Sequence, residues 1–193
     1  MKIFDLYDAK DIKVEDVGLK RYINISEKLM IKSHGRDRES RPKINIIERL
    51  IGQLGVPGHR GKKQKIMSHW ASGKWTTNAL TVLKAFKIIQ EKTGQNPVQV
   101  FVKAVENAAP RDEITTIEYG GARYPQAVDV APIRRLNLAL KNICHGAYDK
   151  AFGKKLEFAD SLAAEIISSS QNAGDSFAIA KKNETEKMAD SAR

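Results

Sequence analysis

Apolar residues recur every three or four positions along most of the chain, which is the period of helices that bury one face. This pattern is clear in NIIERLIGQLG, which ends at Gly55, and again in the segments that follow Thr77, Asn96 and Pro132. It returns in LEFADSLAAEIISSS, where Leu156 is the first residue of the expected buried face, and DSFAIAKKNETEKMADSAR is compatible with a terminal helix. We therefore expect a mainly α protein, a single helical domain of about six helices.

Local capping chemistry predicts where two of these helices begin. Thr76 or Thr77 is suited to cap the long helix that ends near Gly94, because a hydroxyl oxygen accepts a hydrogen bond from the first turn. Asn96 followed by Pro97 combines a cap with a proline in the first turn, where no N–H is needed. A new helix is therefore expected from Pro97.

A two-residue alternation interrupts the helical pattern between the segments ITTIEY and ARYPQAVDV. They are joined by Gly120 and Gly121, which tolerate the positive φ angles of a type I′ or II′ turn. Pro125 cannot donate to a ladder, so it suits an edge strand or a free ribbon. We expect a two-stranded β-hairpin at about 114–130 that projects from the helical body.

The first 43 residues are expected to form an extended N-terminal arm, with the helical domain that carries the hairpin at 44–193. The arm contains KSHGRDRESRPK, which is polar and basic, and its composition offers little core to pack, so we expect it to order only on binding a partner. The N-terminus lacks the pattern of a signal peptide, and no apolar run is long enough for a membrane span. The single cysteine, Cys144, fits a reducing compartment.

Charge is concentrated in one part of the chain. The net charge is +10, and the stretch from His34 to Lys65 contains nine Lys or Arg and three Asp or Glu. Such a concentration favours a polyanionic partner. A basic face that is merely solvated is the alternative.

Cations and indoles are interleaved in the same region, as expected of a surface that neutralises phosphates and stacks on unpaired bases. Trp70 and Trp75 are either stacking groups or ordinary core residues. The cations that flank them are Arg36, Arg38, Arg41, Lys43, Arg60, Lys62, Lys63, Lys65 and Lys74. In the helix after Pro132, the basic residues outside the apolar stripe are expected to face solvent or a ligand: Arg134, Arg135, Lys141 and His145.

Other chemistries fit the sequence poorly. GVPGHRGKK departs from a phosphate-binding P-loop, because five residues separate Gly55 from Gly61 and Lys63 takes the place of the metal-binding hydroxyl. Cys144 lies on an apolar stripe and His145 does not, so a thiol–imidazole pair is not expected. The histidines have no cysteine partners at ligand spacing, so we expect no metal and no cofactor.

Several segments together carry a family resemblance: GKK at 61–63, QNPVQVFVKAVENAAPR at 95–111, the hairpin, QAVDVAPIRRLNLAL at 126–140 and the tail from Ala159. From about Asn45 onward the chain resembles the small-subunit ribosomal proteins of universal family seven, in their archaeal and eukaryotic form. The presence of both VDVAPIRR and NPVQVF in one chain identifies this family more specifically than either segment does alone.

This resemblance implies a structural protein without enzymatic activity, located in the cytoplasmic ribosome. It implies binding to the 3′ major domain of small-subunit ribosomal RNA, nucleation of head assembly and a place near the tRNA exit site. The implied partners are that RNA, neighbouring small-subunit proteins and exit-site tRNA, with no membrane. Carried over by position, the residues expected to contact RNA are Lys62, Lys63, Arg123, Arg134 and Arg135.

Two other classes of function remain open on the sequence. A free-standing basic RNA chaperone or translational repressor would use the same surface, and it would leave small subunits in high salt where an incorporated protein stays. An enzyme acting on nucleic acid would need an acidic pocket, and no residue of the sequence is singled out for one.

Overall fold

The computed structural model describes residues 2–3, 6–9, 12–25, 44–56 and 73–193. In chain order the elements are β1 (Lys2–Ile3), β2 (Tyr7–Asp8), α1 (Val17–Lys20), α2 (Ile46–Gly55), α3 (Trp75–Thr93), α4 (Pro97–Ala108), β3 (Asp112–Tyr119), β4 (Ala122–Asp129), α5 (Pro132–Ala151), α6 (Phe158–Ser170) and α7 (Phe177–Asp190). The expected mainly α fold with one long hairpin is confirmed.

Helix α6 lies at the centre of the bundle and packs against α3, α4 and α5. Its buried face includes Leu162 and Ile166, which are fully shielded from solvent. On the far side of the core, the rings of Phe86 in α3 and Phe101 in α4 lie 6.0 Å apart between centroids. The core therefore joins helices that are distant in sequence.

The predicted helix starts are right for α4 and wrong for α3. Asn96 caps α4, and its Oδ1 accepts from the Val98 N–H at 3.0 Å, with Pro97 as the first helical residue. Helix α3 begins at Trp75, before both threonines, and the preceding Lys74 makes no side-chain cap bond. Trp75 packs against the core, so the helix begins two or three residues earlier than a cap at Thr76 or Thr77 predicts.

The hairpin formed by β3 and β4 is antiparallel, with Tyr119 opposite Ala122 across a two-residue turn. Gly120 and Gly121 both have positive φ angles, of 59° and 81°, as a type I′ turn requires. The first strand begins at Asp112 and the second ends at Asp129. The hairpin therefore begins two residues before the predicted range of 114–130 and ends one residue before its end.

The described part of the N-terminal arm contributes to the core. Ile3, Tyr7, Leu19 and Ile23 are all buried there, and the Tyr7 ring lies 6.1 Å from that of Phe86. The expectation that this arm offers little core is therefore wrong for these residues, because four apolar side chains spaced along it are enough to dock it. The predicted boundary at residue 43 lies outside the described residues.

The turn between α5 and α6 differs from the sequence prediction. Leu156 precedes α6 and is 48 % exposed, so it is not part of the buried face. Phe158 is the first buried residue, and its ring stacks on that of Tyr148 in α5 at 4.5 Å. The stacked rings of Tyr148 and Phe158 join α5 to α6 inside the core, and Leu156 lies outside it in the turn.

Candidate nucleic-acid interface

Twelve basic residues are predicted to contact RNA, and the described residues include four of them: Lys74, Arg123, Arg134 and Arg135. The remaining eight lie outside the described residues: Arg36, Arg38, Arg41, Lys43, Arg60, Lys62, Lys63 and Lys65. Lys74 is exposed immediately before α3. The geometry of the interface therefore rests on the hairpin and on the start of α5.

Arg123 and Arg134 are exposed and are each held by a carboxylate of the hairpin. Arg123 Nε lies 3.4 Å from Glu118 Oε2 on the facing strand, and the arginine side chain is 74 % exposed. Arg134 Nε lies 2.7 Å from Glu113 Oε1, with the arginine side chain 58 % exposed. Exposed ion pairs contribute little to stability, so Arg123 can exchange Glu118, itself 60 % exposed, for a phosphate at small cost. Glu113 is only 22 % exposed, so Arg134 is held more firmly, while its own guanidinium remains accessible.

Arg135 is buried, so the prediction from the helical period that its side chain faces solvent is wrong. Its Nη2 lies 2.8 Å from Asp16 Oδ2, and its Nε donates to the carbonyl oxygen of Pro110 at 3.1 Å. The arginine is buried because the N-terminal segment brings a carboxylate against α5. No pattern within α5 reveals this, because Asp16 is supplied from a distant part of the chain.

His145 is also buried, at 4 % exposure, although its position on α5 predicts a solvent-facing side chain. The next residue, Gly146, lies against Glu165 of α6 and Phe177 of α7. Helix α7 therefore packs against α5 at Gly146, next to His145 in the chain. Cys144 is fully buried as predicted, and burial raises the pKa of its thiol, so it is a structural residue.

Two tryptophans were predicted as stacking or packing groups. Trp75 is half-buried and packs against the core, which favours the packing interpretation for this residue. Trp70 lies outside the described residues.

One face of the hairpin is apolar and exposed, which the distribution of charge along the sequence does not predict. Tyr119 is 81 % exposed, Tyr124 60 % and Ile117 45 %. Ile117 pairs with Tyr124, and Tyr119 lies two residues beyond Ile117, so all three share one face of the ribbon. The sequence ITTIEYGGARY could have predicted this exposed face. Its two-residue alternation places these three side chains on one side of the ribbon, and a ribbon that projects from the body has no core to bury them.

The base of the hairpin is held from several sides. The Val130 N–H donates to the Arg111 carbonyl at 2.8 Å, which closes the ribbon. From α7, Glu186 Oε1 accepts from the Arg111 N–H at 2.9 Å, and Arg193 Nη2 beyond that helix lies 2.7 Å from Asp112 Oδ2. The hairpin therefore has a fixed root and a solvent-exposed tip.

Helix α7 is itself anchored by a buried carboxylate. Glu165 of α6 is completely shielded, and its Oε1 accepts from Ser176 Oγ at 2.8 Å and from the Ala178 N–H at 3.1 Å. Its other oxygen lies 2.8 Å from Lys150 Nζ of α5. A negative charge at the start of α7 is favourable because helix N-termini present unpaired N–H groups.

Among the described residues, no cluster of three or more His, Cys, Asp or Glu is arranged to hold a metal ion. Within the same ranges, none of the helices has the length and apolar character needed to span a membrane.

Comparison with known proteins gives a consistent result along the chain. The family model described as ribosomal protein S7p/S5e matches residues 19–193, which extends further toward the N-terminus than Asn45. Small ribosomal subunit protein uS7 of Nanoarchaeum equitans is 48 % identical over 196 aligned positions, covering 100 % of this chain and 99 % of that protein. The uS7 proteins of Picrophilus torridus and Thermoplasma volcanium are 43 % and 40 % identical, each covering 99 % of this chain and 98 % and 100 % of those proteins.

Proposed function

Because the chain belongs to the ribosomal protein S7p/S5e family, whose members are structural constituents of the small ribosomal subunit and not enzymes, we propose that it binds the 3′ major domain of small-subunit ribosomal RNA. The proposal includes nucleation of head assembly and a place near the tRNA exit site of cytoplasmic ribosomes. Neighbouring small-subunit proteins are its further partners.

The observation that supports this proposal is the exposed guanidinium of Arg134 at the root of the hairpin. Arg134 points out of the bundle, and its partner Glu113 belongs to the hairpin itself. A phosphate that replaces Glu113 on the guanidinium would be held against both α5 and β3. The protein's net charge of +10 supplies the long-range attraction that RNA binding needs.

The hairpin is suited to reach beyond the principal RNA site. Its exposed tyrosines, Tyr119 and Tyr124, combine an apolar ring with a polar tip, and Arg123 lies between them on the opposite face. We propose that this tip meets exit-site tRNA or a neighbouring small-subunit protein. Arg135 is left out of the proposed RNA surface because Asp16 and Pro110 occupy it.

The test measures the dissociation constant of the protein for a transcript of the 3′ major domain at several salt concentrations. Arg134→Ala should weaken binding and reduce the slope of log affinity against log salt by about one phosphate. Glu113→Gln should have the opposite effect on affinity, because it leaves Arg134 without its carboxylate partner. In the double variant, the Glu113 substitution should lose its effect.

Both single variants are expected to fold, because the ion pair they break is exposed on the arginine side. Unchanged dissociation constants for both folded variants would overturn the contact at Arg134. Failure of the wild-type protein to bind the transcript would overturn the RNA-binding proposal as a whole. Loss of the protein from small subunits during high-salt sedimentation would instead favour a free-standing chaperone or repressor.

A further inference from the structure

Residues 12–20, named here the N-terminal strap, lie along one side of α4 and are held there by hydrogen bonds to their backbone. Gln99 binds both backbone groups of Lys13: its Oε1 accepts from the Lys13 N–H at 2.8 Å, and its Nε2 donates to the Lys13 carbonyl at 3.0 Å. Two turns further along the same side of α4, Glu106 Oε1 accepts from the Asp16 N–H at 3.0 Å. These bonds would form with any side chain at the two strap positions.

The strap makes only a small contribution to the hydrophobic core. Leu19 is fully buried, whereas Ile12 and Val14 are partly buried against the core and the residues between and after them are exposed. Both bonds of Gln99 to the strap are also exposed to solvent. A segment with few buried apolar side chains and solvent-exposed backbone bonds opens at a lower free energy than the core does. The strap is therefore an element that can leave α4 while the bundle stays folded.

Arg135 connects the strap to the root of the hairpin. Its Nη2 lies 2.8 Å from Asp16 Oδ2 of the strap, and its Nε donates to the carbonyl oxygen of Pro110, two residues before β3, at 3.1 Å. Gly18 of the strap lies beside the same guanidinium, since a Cβ at this position would be 3.5 Å from Arg135 Nη1. The strap thus holds the guanidinium in the position from which it reaches Pro110.

From this arrangement we propose that the N-terminal strap is a detachable clamp on the hairpin. Its docking on α4 holds Arg135 against Pro110, and its release loosens the root of the hairpin. Helix α7 holds that root from another side, through Glu186 and the Arg111 N–H, so release of the strap loosens the hairpin without detaching it.

The coupling between the strap and the hairpin is reciprocal, as every coupling between two equilibria is. A partner that captures the N-terminal segment makes the root of the hairpin more mobile, and a partner that immobilises the root favours the docked strap. This inference concerns the isolated protein and does not depend on which partner the hairpin meets. Its tests therefore contain no RNA, and their failure leaves the proposed function untouched.

The first experiment releases the strap at a position far from the hairpin along α4. Gln99→Ala removes both bonds to Lys13, and Gln90→Ala, at an exposed glutamine of α3, is the matched control. Hydrogen exchange is followed by NMR at the amides of Lys13 and of Val130, whose N–H closes the root of the hairpin on the Arg111 carbonyl. In Gln99→Ala the Lys13 amide should exchange at least about fivefold faster and the Val130 amide about two- to fivefold faster. Gln90→Ala should change neither rate.

Each other result of this experiment rejects the clamp. Faster exchange at Lys13 with an unchanged rate at Val130 would mean that the strap opens without affecting the hairpin. An unchanged rate at Lys13 would mean that Gln99 does not hold the strap. The amide of Ile166, in the buried centre of α6, should keep its rate in both variants, and faster exchange there would mean that the whole bundle has been destabilised.

The second experiment tests Arg135 as the link. Gln99→Ala is combined with Arg135→Ala, and the exchange rates are compared with those of Arg135→Ala alone. Without the guanidinium, the Gln99 substitution should still accelerate exchange at Lys13 and should lose its effect on Val130. An undiminished effect on Val130 would overturn the role of Arg135.

The third experiment runs the coupling in the opposite direction and leaves the buried arginine in place. Glu186→Ala removes the acceptor of the Arg111 N–H at the root of the hairpin, and the Lys13 amide should then exchange about twofold faster or more. Glu184→Ala is the control, because this exposed glutamate pairs with Lys181 within α7. Faster exchange at Arg111 with an unchanged rate at Lys13 would overturn the reciprocal coupling and with it the clamp.

Discussion

Asp16 and Arg135 lie 119 residues apart in the sequence and 2.8 Å apart in the fold. The guanidinium also donates to the carbonyl of Pro110, at the point where α4 gives way to the hairpin. Asp16 in turn caps α1, accepting from the Gly18 N–H at 2.8 Å. One ion pair therefore ties the N-terminal segment, the start of α5 and the root of the hairpin together.

Arg135→Ala is expected to lower the free energy of unfolding by about 2–3 kcal/mol, a value between those of surface and buried pairs, because it removes a buried guanidinium with its bonds to Asp16 and to the Pro110 carbonyl. Arg134→Ala, one residue earlier and exposed, should cost less than about 1 kcal/mol. Urea unfolding of the two variants gives the comparison. Equal effects would mean that the buried pair contributes no more to stability than the exposed one.

The same pair predicts a pH dependence of stability. Burial alone would raise the pKa of Asp16, but the hydrogen bond and charge of Arg135, with the N–H groups of Gly18 and Leu19, outweigh it and hold the pKa below its ordinary value of 3.8. A carboxyl group with a lowered folded-state pKa stabilises the protein above its unfolded-state pKa. That contribution disappears as pH falls through the folded-state value.

Asp16→Asn should therefore destabilise the protein at neutral pH and have a progressively smaller effect below about pH 4. Asparagine still caps α1, so the substitution removes mainly the charge. The pKa of Glu106 is raised, chiefly by burial, so this residue makes the wild-type protein more stable as pH falls and opposes the effect of Asp16. The measurement is thus the difference between variant and wild-type unfolding free energies at each pH, and a constant difference would contradict the prediction.

Gly146→Ala tests how tightly α7 is docked. A Cβ at this position would lie 2.7 Å from Glu165 Oε1 and 2.9 Å from Phe177 Cβ. Overpacking of this kind costs about 1–3 kcal/mol, more than the gain of about 1 kcal/mol from replacing glycine in a helix. Gly52→Ala in α2 is the control, because no described residue has an atom within 4 Å of the Cβ that alanine would add there. Thermal unfolding should show a lower Tm for the first variant and a higher one for the second.

Glu186→Ala should loosen the root of the hairpin without unfolding the bundle. It removes the acceptor of the Arg111 N–H, a bond worth about 1 kcal/mol, so exchange of that amide should accelerate about fivefold. Glu186→Gln retains an amide oxygen and serves as the control. Hydrogen exchange observed by NMR gives both rates, and equal protection in the two variants would show that the Glu186 hydrogen bond does not stabilise the root of the hairpin.

Local patterns in the sequence predicted the elements whose causes are local. The alternation about Gly120 and Gly121 identified the hairpin, since positive φ angles at both positions are a property of those residues themselves. Asn96 and Pro97 likewise fixed the start of α4. In each case the deciding interaction is made within a few residues.

The errors arose where one element covers another. The period of α5 places Arg135 and His145 outside its apolar stripe, but both are buried. Asp16 from the N-terminal segment pairs with Arg135, and α7 packs against Gly146, the residue after His145. Helix α3 begins at Trp75, before the predicted cap, for the same reason: the contact of Trp75 with the core is made in the tertiary structure. Burial of a side chain depends on every element packed against it, and a single-helix pattern contains only one of them.

The sequence alone determined that this chain is a helical, strongly basic protein with one long hairpin, because periodicity, turn residues and charge are each properties of short segments. Only the tertiary structure decided which cations reach solvent, because an arginine becomes an exposed contact or a buried tie according to where distant carboxylates are brought. Arg134 and Arg135 are adjacent in the chain, and Glu113 leaves the first exposed while Asp16 shields the second.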